Sequence, residues 1–121
     1  MCSLLGKLEN WGCDTRKALF NMLGDREFYY ELLKKFRYDA STDALQKAVA
    51  AGDVAVAVKL SHELKGTTAT LCLDPLNREI SHFLDIIRDG NVNSNQMMHY
   101  YIPVEKQLST FYKIFEEPRT K

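Results

Sequence analysis

The stretch Asp53-Val54-Ala55-Val56-Ala57-Val58-Lys59-Leu60-Ser61-His62-Glu63-Leu64-Lys65-Gly66-Thr67-Thr68-Ala69-Thr70-Leu71-Cys72 decides how the chain is read. On a helical wheel at about 100° per residue, Ala57, Leu60, Leu64 and Leu71 fall on one side, the side that must face a core. His62 falls nearly opposite them. Around it come Ala55, Val58, Lys59, Lys65, Gly66, Ala69 and Leu73. The expectation is a helix with a histidine on its outer face, flanked by two lysines and by small residues that form a shallow docking surface: Ala55, Val58, Lys59, Ala69 and Leu73.

That combination suits covalent chemistry on the imidazole. A neutral imidazole is a competent nucleophile at neutral pH, because its unperturbed pKa lies near 6.5. Lys65 lies one turn after His62 and Lys59 one turn before, so either ammonium can offset negative charge on a group attached to the ring. Gly66 has no side chain and lets another molecule approach closely. A glycine inside a helix costs about 1 kcal/mol relative to alanine, and a need for close approach accounts for that cost.

Outward from this segment the punctuation is helical throughout. Gly52-Asp53 pairs a C-terminal glycine with an N-cap aspartate, and Gly24-Asp25 repeats the device. Ser41-Thr42 offers N-caps before Ala44-Leu45, Asp74-Pro75 gives a cap followed by a first-turn proline, and Gly90 precedes Asn93-Ser94. Between these stops, apolar residues recur at helical spacing: Phe28, Leu32, Leu33 and Phe36; Leu76, Ile80, Phe83, Leu84 and Ile87; Leu108, Phe111, Tyr112 and Phe115. The predicted elements are a short segment near 3–9 and helices near 14–23, 25–38, 42–51, 53–72, 75–89 and 94–116, with Pro103 expected to kink or divide the last. The fold class is all-α. Short loops favour antiparallel neighbours and an up-down arrangement. The whole of 1–121 reads as one domain, with an N-terminal helical extension over about 1–23, a bundle over about 25–116 and a frayed charged tail.

The 121 residues carry 16 basic and 16 acidic side chains, so no global basic field exists to hold nucleic acid. No apolar run approaches the ~20 residues that span a bilayer. The opening residues lack the long apolar stretch of a secretory signal, so a cytoplasmic location is the expectation. Cys2, Cys13 and Cys72 are odd in number and widely spaced, which indicates neither a disulfide framework nor a zinc site; Cys13 and Cys72 read as reduced core fillers.

The string Ser61-His62-Glu63-Leu64-Lys65-Gly66-Thr67-Thr68-Ala69-Thr70-Leu71 resembles the signature of the histidine-containing phosphotransfer (HPt) family, commonly written AHxLKGxxxxLG. Ala51-Gly52-Asp53, Leu23-Gly24-Asp25-Arg26-Glu27-Phe28-Tyr29 and Ile87-Arg88-Asp89-Gly90 are similar to the flanking turns and helices of that family, so the likeness spans roughly 12–115. The resemblance implies an up-down antiparallel four-helix bundle with an extra N-terminal helical segment. It implies phosphorylation of His62 at Nε2, charge stabilisation by Lys65 and close partner approach at Gly66. Partners would be response-regulator receiver domains and a sensor histidine kinase. The receiver would supply Mg²⁺, the chain having no cofactor of its own, and a monomeric carrier rather than an enzyme is implied. Two positions depart from the pattern: Cys72 stands where the family often has glycine, and Ser61 where it often has alanine.

Other features read more simply. Glu79-Ile80-Ser81-His82 has the ExxH spacing of di-iron sites, but those need two such motifs. His99 has no companion that completes a site. Trp11 and Phe28-Tyr29-Tyr30 read as core and rim aromatics. No GxxxxGK[ST] or other glycine-rich nucleotide loop is present, so ATP binding is not expected. Two alternatives to a free phosphorelay carrier remain: the phosphoacceptor domain of a larger hybrid or chemotaxis-type kinase, and a receiver-docking module without chemistry.

Overall fold

The chain, seen in a computed structural model, is described over residues 2–115, with side chains from residue 4. The expected frayed tail beyond Phe115 and the side chain of Cys2 lie outside the described residues. Seven helices and no strands are present among those residues: α1 (Cys2–Trp11), α2 (Thr15–Asn21), α3 (Arg26–Arg37), α4 (Ala40–Ala51), α5 (Val54–Thr70), α6 (Asp74–Ile87) and α7 (Ser94–Ile114). Among the described residues no helix is long and apolar enough to cross a membrane.

Capping side chains explain most boundaries. Asp25 accepts from the Phe28 amide at 3.0 Å and starts α3; Asp53 accepts from Val56 at 3.3 Å and starts α5. Asn93 and Gln96 form a reciprocal capping box at α7. Two N-caps differ from expectation, and α2, α5 and α6 each end two residues early. α4 starts two residues early, because Asp39 rather than Ser41 or Thr42 is the cap, its carboxylate accepting from the Ser41 amide at 2.8 Å. Asp74 is the first helical residue of α6 rather than its cap, and its carboxylate instead accepts from the Asp14 amide at 2.8 Å, tying the start of α6 to the start of α2. α7 is one helix through Pro103, which lies on its exposed side, where the carbonyl left without a donor can be hydrated.

α5 packs between α4 and α6, and α7 packs on both α6 and α4. Pairings fix the directions. Asn77, early in α6, reaches Lys65 late in α5, whereas Arg88 at the end of α6 shares a groove with Val58. The Tyr112 hydroxyl donates to Thr42 at 3.1 Å, while Ser94 lies against Gly52. So α5 and α6 run antiparallel, as do α4 and α7. The core between them holds Leu45, Val49, Ala57, Leu64, Ile80, Phe83, Leu84, Met97, Val104 and Phe111, the heptad-like positions of each helix.

α1, α2 and α3 cover one end of this arrangement. Trp11 donates from Nε1 to Gln107 at 2.7 Å and its ring meets Phe111, which also packs on Phe36. In the first turn of α3, Tyr29 rather than Phe28 is buried; its hydroxyl donates to the Leu71 carbonyl at 2.8 Å, whereas Phe28 is half exposed. The chain reverses after α5 at Cys72, whose φ of +55° is a left-handed conformation that favours glycine. That is the position where the resemblance leads one to expect glycine, and a buried cysteine occupies it instead. Burial pushes the Cys13 thiol up to about 12 and raises that of Cys72 as well. Both thiols are free, and both fill core space at this end.

Candidate functional site

α5 turns its buried side inward through Ala57, Ser61, Leu64 and Thr68. The residues expected on the outer face separate from these as the wheel requires. His62 is exposed; Ala55, Lys59, Gly66 and Ala69 are exposed; Val58 and Lys65 are half-buried. Leu73 departs. It is fully buried, and it cannot belong to a docking surface. The helix ends at Thr70, and the left-handed turn at Cys72 swings the chain inward, so a wheel carried past the end of the helix misplaces Leu73.

His62 opens onto a shallow groove between α5 and α6. Val58, Lys59, Glu63, Leu84 and Arg88 line it with His62. Val58 and the buried Leu84 make an apolar floor, Lys59 and Arg88 supply cations, and Glu63 supplies one anion. Lys65 is not among these lining residues, so the cations beside His62 on this flank are Lys59 and Arg88. Arg88 pairs with Asp85 at 3.3 Å, and both side chains are mostly exposed.

One turn beyond His62 the backbone is held from α6. Asn77 donates from its amide to the Lys65 carbonyl at 2.8 Å and to the Thr68 hydroxyl at 3.0 Å, and Thr68 donates on to the Leu64 carbonyl at 2.8 Å. This network clamps the turn that contains Gly66. Gly66 has an ordinary helical φ, and a Cβ built on it would meet no atom within 4 Å. Nothing inside the described residues therefore requires glycine at this position.

Ser61, next to His62, is fully buried, and its hydroxyl has no hydrogen-bond partner among the described residues. A buried unpaired hydroxyl costs about 1–3 kcal/mol, and an alanine side chain would avoid it.

The nearness of Arg88, Leu84 and Asn77 to the histidine helix escaped the reading of the sequence. Each lies on α6, and only the register between α5 and α6 brings it to the histidine helix. Among the described residues no three His, Cys, Asp or Glu side chains gather closely enough to hold a metal ion. No family model matches the chain, and no curated protein or solved structure gives a significant match.

Proposed function

We propose that this chain is a histidine-containing phosphotransfer module of a two-component phosphorelay. In this reading α4 to α7 are its up-down four-helix bundle, α1 to α3 its N-terminal extension, and His62 the phosphoryl acceptor. The observation that carries the reading is Gly66. An exposed glycine within a right-handed helix, open where a Cβ would stand, costs stability and returns nothing among the described residues. Its return is sought outside: a partner domain approaching α5 closely, one turn from an exposed imidazole.

The chemistry follows from the groups present. Nε2 of the neutral imidazole attacks the phosphorus of a receiver aspartyl phosphate, the acyl P–O bond breaks, the aspartate carboxylate leaves, and the proton on Nδ1 stays in place. Lys59 and Lys65 lie within a turn of His62 on α5 and offset the charge that arrives with the phosphoryl group. The receiver would contribute Mg²⁺. The reverse sequence passes the group to a second receiver, so the chain acts as a carrier and a cytoplasmic setting fits.

The test is phosphoryl transfer from a panel of phosphorylated receiver domains to the wild type and to His62→Gln. Acid-labile phosphate is expected on the wild type alone, with the variant's stability within about 0.5 kcal/mol because the site is on the surface. Phosphate uptake retained by His62→Gln would sink the assignment. Receiver binding without uptake by either protein would leave a docking module as the better reading.

A further inference from the structure

The geometry points to Arg88, on the helix beside the histidine helix, as the residue that holds the phosphoryl group once it is on His62; we propose this role as an extension of the carrier reading, on which it rests. Arg88 and His62 share one groove although they are far apart in sequence and on different helices. The groove's other cation, Lys59, comes from α5 itself, so a phosphoryl group on His62 would meet positive charge from both walls. Val58 and the buried Leu84 beneath it exclude water from one side, which strengthens charge pairing there relative to open solvent.

A guanidinium suits this task. It is planar, permanently charged and able to donate two parallel hydrogen bonds to phosphoryl oxygens. In the unphosphorylated chain Arg88 pairs with Asp85, one turn back on the same helix. That pair is exposed on both sides and is of the kind that contributes little. A phosphoryl group, with more negative charge and more acceptor oxygens than a carboxylate, competes well for the same guanidinium. Glu63 is the carboxylate that shares the groove, and its repulsion makes a cation from α6 the more necessary.

Phosphoramidate tests the role without any partner protein. Nε2 attacks phosphorus, the P–N bond of phosphoramidate breaks, ammonia leaves, and the Nδ1 proton stays on the ring. The full chain would be loaded as wild type, His62→Gln, Arg88→Gln, Arg88→Lys and Arg78→Gln, the last removing another exposed α6 arginine. Loading rate and the pH midpoint of the ³¹P resonance are the readouts. Arg88→Gln should slow loading by about threefold and raise the midpoint by roughly half a unit, the size expected for a partly screened pair. Arg88→Lys, which keeps the charge, should restore most of both, and Arg78→Gln should change neither. Arg88→Gln with wild-type rate and midpoint overturns the role of Arg88 and leaves the carrier reading standing. Equal loading of wild type and His62→Gln overturns both together.

Discussion

Gly52 joins α4 to α5 with a φ of +73°, and a Cβ on it would stand 2.7 Å from the Cβ of Ser94. Gly66 lies inside α5 with an ordinary helical φ, and a Cβ on it would meet nothing within 4 Å. In the sequence Gly52 reads as a glycine that closes a helix and Gly66 as one inside a helix. In the fold one is required by its own chain twice over, by backbone conformation and by space, and the other by nothing among the described residues. Residues of the first kind hold the molecule together. A residue of the second kind marks a surface kept clear for something else.

The largest test of that contrast is a pair of alanine substitutions. Gly52→Ala should destabilise the fold by about 2–4 kcal/mol, combining left-handed strain with a contact Ser94 cannot vacate cheaply. Gly66→Ala should move stability the opposite way, up by about 1 kcal/mol. Chemical denaturation of the two variants reads both, and the same sign for both would break the comparison. Gly66→Ala should also slow transfer from a phosphorylated receiver while leaving loading by phosphoramidate unchanged, since only the receiver needs the cleared surface.

Ser61→Ala sharpens the contrast one residue from the histidine. The buried hydroxyl lacks a partner, so its removal should raise stability by about 1 kcal/mol with phosphoryl uptake intact. Destabilisation on denaturant titration would mean that the hydroxyl is satisfied in solution. At the covered end the expected sign is reversed. Tyr29→Phe leaves the Leu71 carbonyl without its donor and should cost about 1 kcal/mol, with loading at His62 unaffected.

The smallest effect is a pH dependence of the same end. Burial holds the Cys13 thiol near 12, whereas an unfolded thiol ionises near about 8.5. The unfolded chain therefore loses its proton first. The stability tied to the neutral buried thiol is fully present below about pH 8.5 and is lost as pH rises toward the folded value. Raising the pH from 8 to 9 should lower the melting temperature by about 2–4 °C more in wild type than in Cys13→Ala, and parallel curves would remove Cys13 from the account.

What could be read before the fold was known was whatever depends on one helix at a time. The spacing of Leu76, Ile80, Phe83, Leu84 and Ile87 names the buried side of α6, and all five are buried. The caps Asp25 and Asp53 were legible because capping is decided within four residues. His62 on the outer face of α5 was legible for the same reason. Leu73 failed because a wheel assumes that the helix continues, and Phe28, expected on the apolar line of its helix, is half exposed because the part of α3 that is covered depends on where the Leu71 carbonyl meets Tyr29.

By itself, then, the sequence determined the helices, the caps Asp25 and Asp53 and the exposed histidine, since each follows from backbone hydrogen bonding and side-chain periodicity over a few residues. Tertiary structure alone decided that Arg88 and Leu84 share a groove with His62, that Asn77 clamps the turn around Gly66, and that the space over Gly66 is open. Those facts depend on the register and spacing of α6 against α5. That register is set by how two apolar faces interlock across the core, which no single helix encodes.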